Sequence, residues 1–290
     1  MGWFAAAAGT ALVLFVLRDV FHTLWHPTRH GGLSRLLMTG VWRLAKASPC
    51  RRAAGLAGPV AMAMVVAVWA LTAVLGWALV YWPFMPEAFT YPPGLKPAAH
   101  AGFEDAVYVS LVNISTLGLG DIAPTEGWLR IVAPMEALVG FALLSATVAW
   151  TLGLFPALAR RRSLALRISH LARTHPTSDQ VDADAVAAVL DGLATDVSVI
   201  SVDFLQYAES YYFHDGDGHI SLAQQIAGAV HLADQASAAR HPEVRKSAAV
   251  LRVALDDLAA ILDNRFLRTR GSAREVFESY ARDHGDVGRV

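Results

Sequence analysis

The sequence predicts an all-α membrane protein with three transmembrane helices, a short re-entrant helix leading into a glycine-spaced loop, and a C-terminal cytoplasmic helical bundle. Three observations predict it. Of 290 residues 54% are hydrophobic and only 17% are charged, a balance outside the range of ordinary soluble domains. The apolar residues are concentrated in three runs long enough to cross a hydrocarbon core. Charge then splits the chain: residues 163–290 hold 18 acids against 12 Lys and Arg, whereas the first 162 residues hold 7 against 12. A basic membrane portion and an acidic tail mark separate domains, which we place at 1–56, 57–162 and 163–290.

The first run, Trp3 to about Trp25, stays uncharged until Arg18 and Asp19. It lacks the positive leading segment of a secretory signal and continues past any cleavage site, so we expect it to be retained as a span. Asp19, His22 and His26 follow at i, i+3 and i+7 on one helix face. That set is spaced to hold a divalent metal or to titrate as a pH sensor. The plainer expectation is a helix end where Arg18 pairs with Asp19 and the histidines reach headgroups.

The next segment, Leu33 to Ala47, is basic and partly amphipathic, which suits a cytoplasmic interfacial helix. The whole loop holds Arg29, Arg35, Arg43, Lys46, Arg51 and Arg52 without an acid. Ala57 to Trp82 carries no charge and, at about 1.5 Å per residue, spans about 39 Å. Lys96 is the one basic residue between Pro83 and Gly102, and Arg160, Arg161, Arg162 and Arg167 follow the third run, residues 128–155. The positive-inside rule therefore puts the N-terminus outside and the C-terminus in the cytoplasm of an inner, plasma-type membrane. Arg51, Arg52 and Arg160 to Arg162 read as topology anchors or as a belt for anionic lipid. Cys50 stands alone, so no internal disulfide or multi-cysteine metal site can form.

Between the second and third spans, Phe103 to Ser115 opens with Glu104 and Asp105 and then turns apolar. Such a length is too short to span and fits a re-entrant helix, whose C-terminal end favours a cation at membrane depth. Ser115-Thr116-Leu117-Gly118-Leu119-Gly120-Asp121 comes next. A chain that presents consecutive carbonyls to a bare cation alternates in handedness, and glycine accepts the left-handed positions. Irregular backbone at that depth must be buried in protein or line a wet cavity, which implies several subunits around an axis.

Span, re-entrant helix, Tyr108 to Pro124 (YVSLVNISTLGLGDIAP) and span together resemble the pore domain of the potassium channel superfamily, closest to its bacterial two-span and two-pore-domain-like members. The likeness covers about residues 57–158. It implies a homotetramer, one pore loop per chain, conducting K+ passively with no cofactor. Thr116, Leu117, Gly118, Leu119 and Gly120 would form the selectivity filter, supported by Asn113, Ser115, Asp121 and Glu136. Most members carry tyrosine or phenylalanine where Leu119 stands, and a tyrosine hydroxyl there braces the filter. Asn113 likewise stands where threonine is common. Glu136 is an intramembrane acid and a functional candidate on that ground alone. Gly140 is similar in placement to the family's inner-helix hinge, although close helix packing would also call for glycine. Leu144 and Val148 below it are expected to face an apolar cavity that gates by dewetting.

In the tail, Val186, Leu190, Leu193, Val197, Ile200, Phe204 and Tyr207 recur at helical spacing, as do Val244, Ala248, Leu251, Leu255, Leu258 and Leu262. A further helix is expected near Leu222 to Ala239, and Pro242 suits a first turn. His214 to Ser221 looks like a calcium loop but lacks two main ligands, and reads as an inter-helix turn. No run of arginines marks a voltage sensor, no Gly-x-Gly-x-x-Gly follows a strand, no repeat suggests a transporter, and no catalytic constellation or nucleic-acid partner is indicated. The readings carried forward are a potassium channel, a weakly selective cation channel, and a membrane sensor or scaffold with a vestigial pore. The tail is expected to meet an unknown ligand or protein.

Overall fold

The computed structural model describes residues 2–24, 32–47, 51–174, 182–216 and 218–285. His26 and Cys50 lie outside them. Nine α-helices appear among the described residues: α1 (Gly2–Leu24), α2 (Gly32–Ala47), α3 (Arg51–Tyr81), α4 (Phe103–Ile114), α5 (Leu129–Thr174), α6 (Ala183–Gln206), α7 (Leu222–Ser237), α8 (Pro242–Leu262) and α9 (Ala273–Gly285). Two-residue strands β1 (Phe89–Thr90) and β2 (Ala123–Pro124) pair antiparallel, Phe89 opposite Pro124. Contacts divide the chain into Met1–Leu37 with Met62–Thr151, and Met38–Ala61 with Leu152–Val290. That division runs through α2, α3 and α5, whereas the sequence put the boundaries at 56/57, where the uncharged run begins, and at 162/163, where the charge balance changes.

In the first unit α1 packs on α3 through small residues. A Cβ on Gly9 would lie 2.3 Å from the Gly76 carbonyl oxygen, and one on Gly76 would lie 2.7 Å from Val13 Cγ2. Helices in lipid gain from such backbone approach because lipid offers no hydrophobic drive between them. At the far end of α1, Asp19 is buried and does not pair with Arg18 as expected. Its carboxylate accepts from Leu33 N (3.0 Å), Ser34 N (3.3 Å), Ser34 Oγ (2.8 Å) and Trp69 Nε1 (2.9 Å). The acid therefore caps the first turn of α2 and ties it to α1 and α3. These four donors engage Asp19 itself, while the Asp19, His22 and His26 set includes a residue outside the described ones. No group of three or more metal-ligating side chains occurs among the described residues, and His22 sits with its ring edge-on to Phe21.

The rest of the unit positions α4. Ala78, Tyr81, Met85, Phe89, Ala106, Val109, Ile122 and Leu129 form one buried cluster. It joins the end of α3, the β1–β2 pair, α4 and the start of α5. Glu104 and Asp105 occupy the first turn of α4, where the helix dipole favours acids. Asp105 Oδ2 also accepts from Gly102 N at 3.2 Å.

In the second unit, α6, α7, α8 and α9 form a bundle, with α6 lying along α8. α5 does not stop at the arginine triplet but runs on to Thr174 as one 46-residue helix. All three arginines of the triplet make ion pairs within this unit, Arg161 buried and Arg160 and Arg162 partly exposed. Arg160 makes a bidentate pair with Asp203 (2.8 and 2.6 Å), and Arg167 pairs with Asp196 (2.5 Å). Arg161 is buried and donates to Asp215 Oδ1 (2.6 Å) and to the carbonyls of Ser210 (2.6 Å) and Phe213 (2.8 Å). Asp215 is thereby committed to an arginine, in keeping with a turn and not a calcium loop.

The last helix escaped the sequence reading. Val276, Phe277, Tyr280 and His284 are its buried face, and Ser272 with Glu275 forms a reciprocal cap at its start. His284 lies among Tyr211, Tyr280 and Trp42, with Nε2 2.8 Å from the Tyr211 carbonyl. Burial pushes its imidazole down to about 4 from 6.5. The unfolded chain therefore binds this proton first as pH falls. Stability from His284 is complete above about pH 6.5 and is lost on descent toward pH 4, by up to about 1.4 kcal/mol per pH unit. The unfolding temperature of the tail is expected to drop between pH 7.5 and pH 5, and the drop should shrink in His284→Asn.

Candidate functional site

The loop after α4 turns on backbone geometry. Thr116, Gly118 and Gly120, every second residue, have positive φ of 59°, 58° and 72°. Alternating handedness of this kind brings successive carbonyls to one side of the strand. For a β-branched residue such as Thr116 the conformation is uncommon. It is held by hydrogen bonds back to the helix: Thr116 N to Asn113 O (2.9 Å), Leu117 N to Val112 O (3.1 Å) and Ser115 N to Leu111 O (3.1 Å). The carbonyls of Thr116, Leu117, Gly118 and Leu119 accept no hydrogen bond among the described residues. Leu117 and Leu119 are 66% and 61% exposed. Carbonyls without a hydrogen bond among the described residues thus stand beside uncovered leucines on this loop.

Behind the loop lies a polar cluster. Glu136 of α5 is wholly buried. Its carboxylate accepts from Tyr81 Oη (2.6 Å), Ser110 Oγ (2.5 Å) and Asn113 Nδ2 (3.4 Å). Ser110 Oγ also lies 3.0 Å from the Val74 carbonyl. One acid thus links α3, α4 and α5. Burying a carboxylate is costly unless its lone pairs are filled, and three donors fill them here. Asn113 and Glu136 were expected near the loop; Tyr81 and Ser110 were missed. The available signal was a tyrosine inside an uncharged span, whose hydroxyl needs an acceptor when buried.

On the other side, Tyr108 Oη donates to Asp121 Oδ2 at 2.6 Å, tying α4 to the residue after Gly120. Leu119, with no hydroxyl, can form no such tie of its own. Ser115 caps α4, its Oγ donating to Leu111 O at 2.6 Å.

Gly140 faces α4. A Cβ there would lie 1.8 Å from the Ile114 carbonyl oxygen and 2.8 Å from Ile114 C. Contact with backbone is therefore reason enough for glycine at this position. Leu144 and Val148 are exposed, as are Met135, Leu138 and Phe141 higher on α5. This uncovered apolar stripe belongs to a helix with only 17% of its most apolar window buried.

By length and composition four helices among the described residues can cross a membrane: Gly2–Leu24, Gly55–Phe84, Leu129–Thr174 and Ala183–Gln206. The fourth, α6, was not expected to qualify.

Comparison with known proteins places these elements. Residues 63–154 match the ion channel family, a stretch holding α4, the loop and the first half of α5. An uncharacterized membrane protein of Bacillus subtilis (strain 168), YdjJ, is 26% identical over 172 residues, 57% of this chain and 48% of YdjJ. The match thus spans about half the length of that relative. No solved structure matches. The match over residues 63–154, about a third of the chain, holds the loop and helices just described, so this stretch is similar to an ion channel domain.

Proposed function

We propose that the protein is a potassium-selective channel. Four copies surround an axis, and the Thr116 hydroxyl with the carbonyls of Thr116, Leu117, Gly118 and Leu119 replaces the hydration water of K+ as it moves passively down its gradient. The observation that carries this reading is the alternation of positive φ at Thr116, Gly118 and Gly120 in a loop of unpaired carbonyls. Four copies are called for because one chain supplies one loop, and the exposed Leu117, Leu119 and α5 stripe need covering. Gly120 and Asp121 close the filter; Asn113, Ser115 and Glu136 hold it from outside.

In this reading α1, α3 and α5 span an inner membrane with the N-terminus outside, and α6 to α9 form a cytoplasmic bundle that receives an effector. A non-spanning α6 is supported by its four acids, Asp184, Asp191, Asp196 and Asp203. Two of them pair with arginines of α5, and an acid inside lipid is expensive. Leu144 and Val148 line the cavity below the filter.

Liposomes holding the purified protein should take up K+ well above Na+. Gly118→Ala places a Cβ on a residue at φ 58°, at a cost of about 1–2 kcal/mol per chain, and is expected to abolish uptake without preventing assembly. Full uptake by that variant would remove the loop from the conduction path. Equal K+ and Na+ uptake by the unaltered protein would favour the weakly selective channel, and no uptake the sensor or scaffold.

A further inference from the structure

The amphipathic helix α2 carries three distinct faces. Ser34, Met38 and Trp42 recur at i+4 and are buried. Trp42 Nε1 donates to Asp283 Oδ2 (3.2 Å), and the Trp42 ring lies 4.7 Å from that of His214 and 4.9 Å from that of His284. Lys46 Nζ donates to Asp283 Oδ1 at 2.6 Å. Despite burial, which raises it, Lys46 and Tyr211 hold the Asp283 carboxyl below the usual carboxylate range.

The second face is apolar and uncovered. Leu36 and Leu44, two turns apart, are 70% and 73% exposed, and Gly40 and Ala47 lie on the same side. The third face is cationic. Arg35 and Arg43 flank the leucines, are exposed, and take part in no ion pair among the described residues. No Asp or Glu occurs anywhere from Val20 to Pro86 to neutralise them. The chain enters α2 from one helix able to cross a membrane and leaves it into another.

Exposed leucines on one edge and unpaired arginines on the next suit the boundary between acyl chains and headgroups, where an arginine stem lies along apolar surface and its charge reaches out. We propose that the outer faces of α2 dock on the anionic headgroups of the bilayer. Leu36 and Leu44 enter the acyl boundary, and Arg35 and Arg43 hold lipid phosphates. The charge complementarity selects an anionic surface, and the buried face of Ser34, Met38 and Trp42 leaves only the other two sides of α2 for it. Because Trp42 and Lys46 extend from the same helix to Asp283, lipid docking also steadies that contact. The proposal rests on membrane residence and not on conduction.

Hydrogen exchange of the full-length protein in nanodiscs tests it. One set of discs is phosphatidylcholine alone, the other includes phosphatidylglycerol, both at low ionic strength. Amides from Leu36 to Ala47 are expected to exchange at least about fivefold more slowly with the anionic lipid, the factor for one arginine near a charged surface. High salt should shrink the difference. Arg35→Gln with Arg43→Gln should erase it. Equal exchange in the two discs, persistence of the difference in the double variant, or the same protection from inorganic phosphate added to phosphatidylcholine discs would overturn the proposal. The comparison of lipids uses the unaltered protein, so a variant that failed to fold would not decide it. No ion flux is read, so failure here and failure of the channel reading are separable.

Discussion

Gly140→Ala is expected to eliminate ion conduction. The added methyl would lie 1.8 Å from the Ile114 carbonyl oxygen and 2.8 Å from its carbon. Both are backbone atoms, so no rotamer change relieves the clash. α5 must withdraw from α4 by more than about 1 Å to restore contact distance. Ile114 is the last residue of α4 and stands two residues before Thr116, so the displacement is delivered to the loop. Overpacking of this kind costs about 1–3 kcal/mol where side chains can give, and a backbone obstacle sets the upper end. We expect K+ uptake to fall by at least about tenfold, with the unfolding temperature also lowered; a tenfold change corresponds to about 1.4 kcal/mol. Gly127→Ala is the control, because a Cβ there meets nothing within 4 Å. Wild-type uptake by Gly140→Ala would show that α5 and α4 separate freely at this point.

Glu136→Ala should destabilise the membrane unit most. It removes the acceptor of Tyr81 Oη, Ser110 Oγ and Asn113 Nδ2 at once. Ser110 can fall back on the Val74 carbonyl, which leaves the tyrosine and asparagine donors unpaired in an apolar setting. Each orphaned group costs about 1–3 kcal/mol, so a loss of about 2–6 kcal/mol is expected, read as a lower unfolding temperature in detergent and as lost uptake. Glu136→Gln keeps the shape but turns an NH2 toward a donor, and should fall between. An alanine variant as stable as the parent would mean that water or another partner satisfies these groups.

Much of the architecture was legible because membranes constrain sequence strongly. Three apolar runs, a dozen apolar residues opening with Glu104 and Asp105, and glycines at every second position of the loop each have one simple structural solution. The stripes at Val186 to Tyr207 and Val244 to Leu262 were read by the same logic. What escaped was set by contacts between distant residues. Asp19 looked like a helix-end acid beside Arg18, and only the return of the chain at Leu33 and Ser34 makes it a cap. The arginines after the third run looked like topology anchors, and nothing in their own segment told that Asp203 and Asp215, more than forty residues on, would pair with Arg160 and Arg161. Tyr81 and Ser110 carry no motif, and their part in the Glu136 cluster follows from helix crossing. For Gly140 the sequence left bending and close packing both open; the Ile114 contact supplies the second reason directly. α9 was missed because its apolar positions are few and lie among charges.

The central claim is that K+ passes through the loop Thr116–Gly120 with selection over Na+. The most direct test is the reversal potential of the purified protein in a planar bilayer with K+ on one side and Na+ on the other. The account predicts a displacement toward the K+ equilibrium potential of at least about 59 mV, the value for a tenfold preference in a one-charge process, and no current from Gly118→Ala. A reversal near zero, or an unchanged current in that variant, would contradict it.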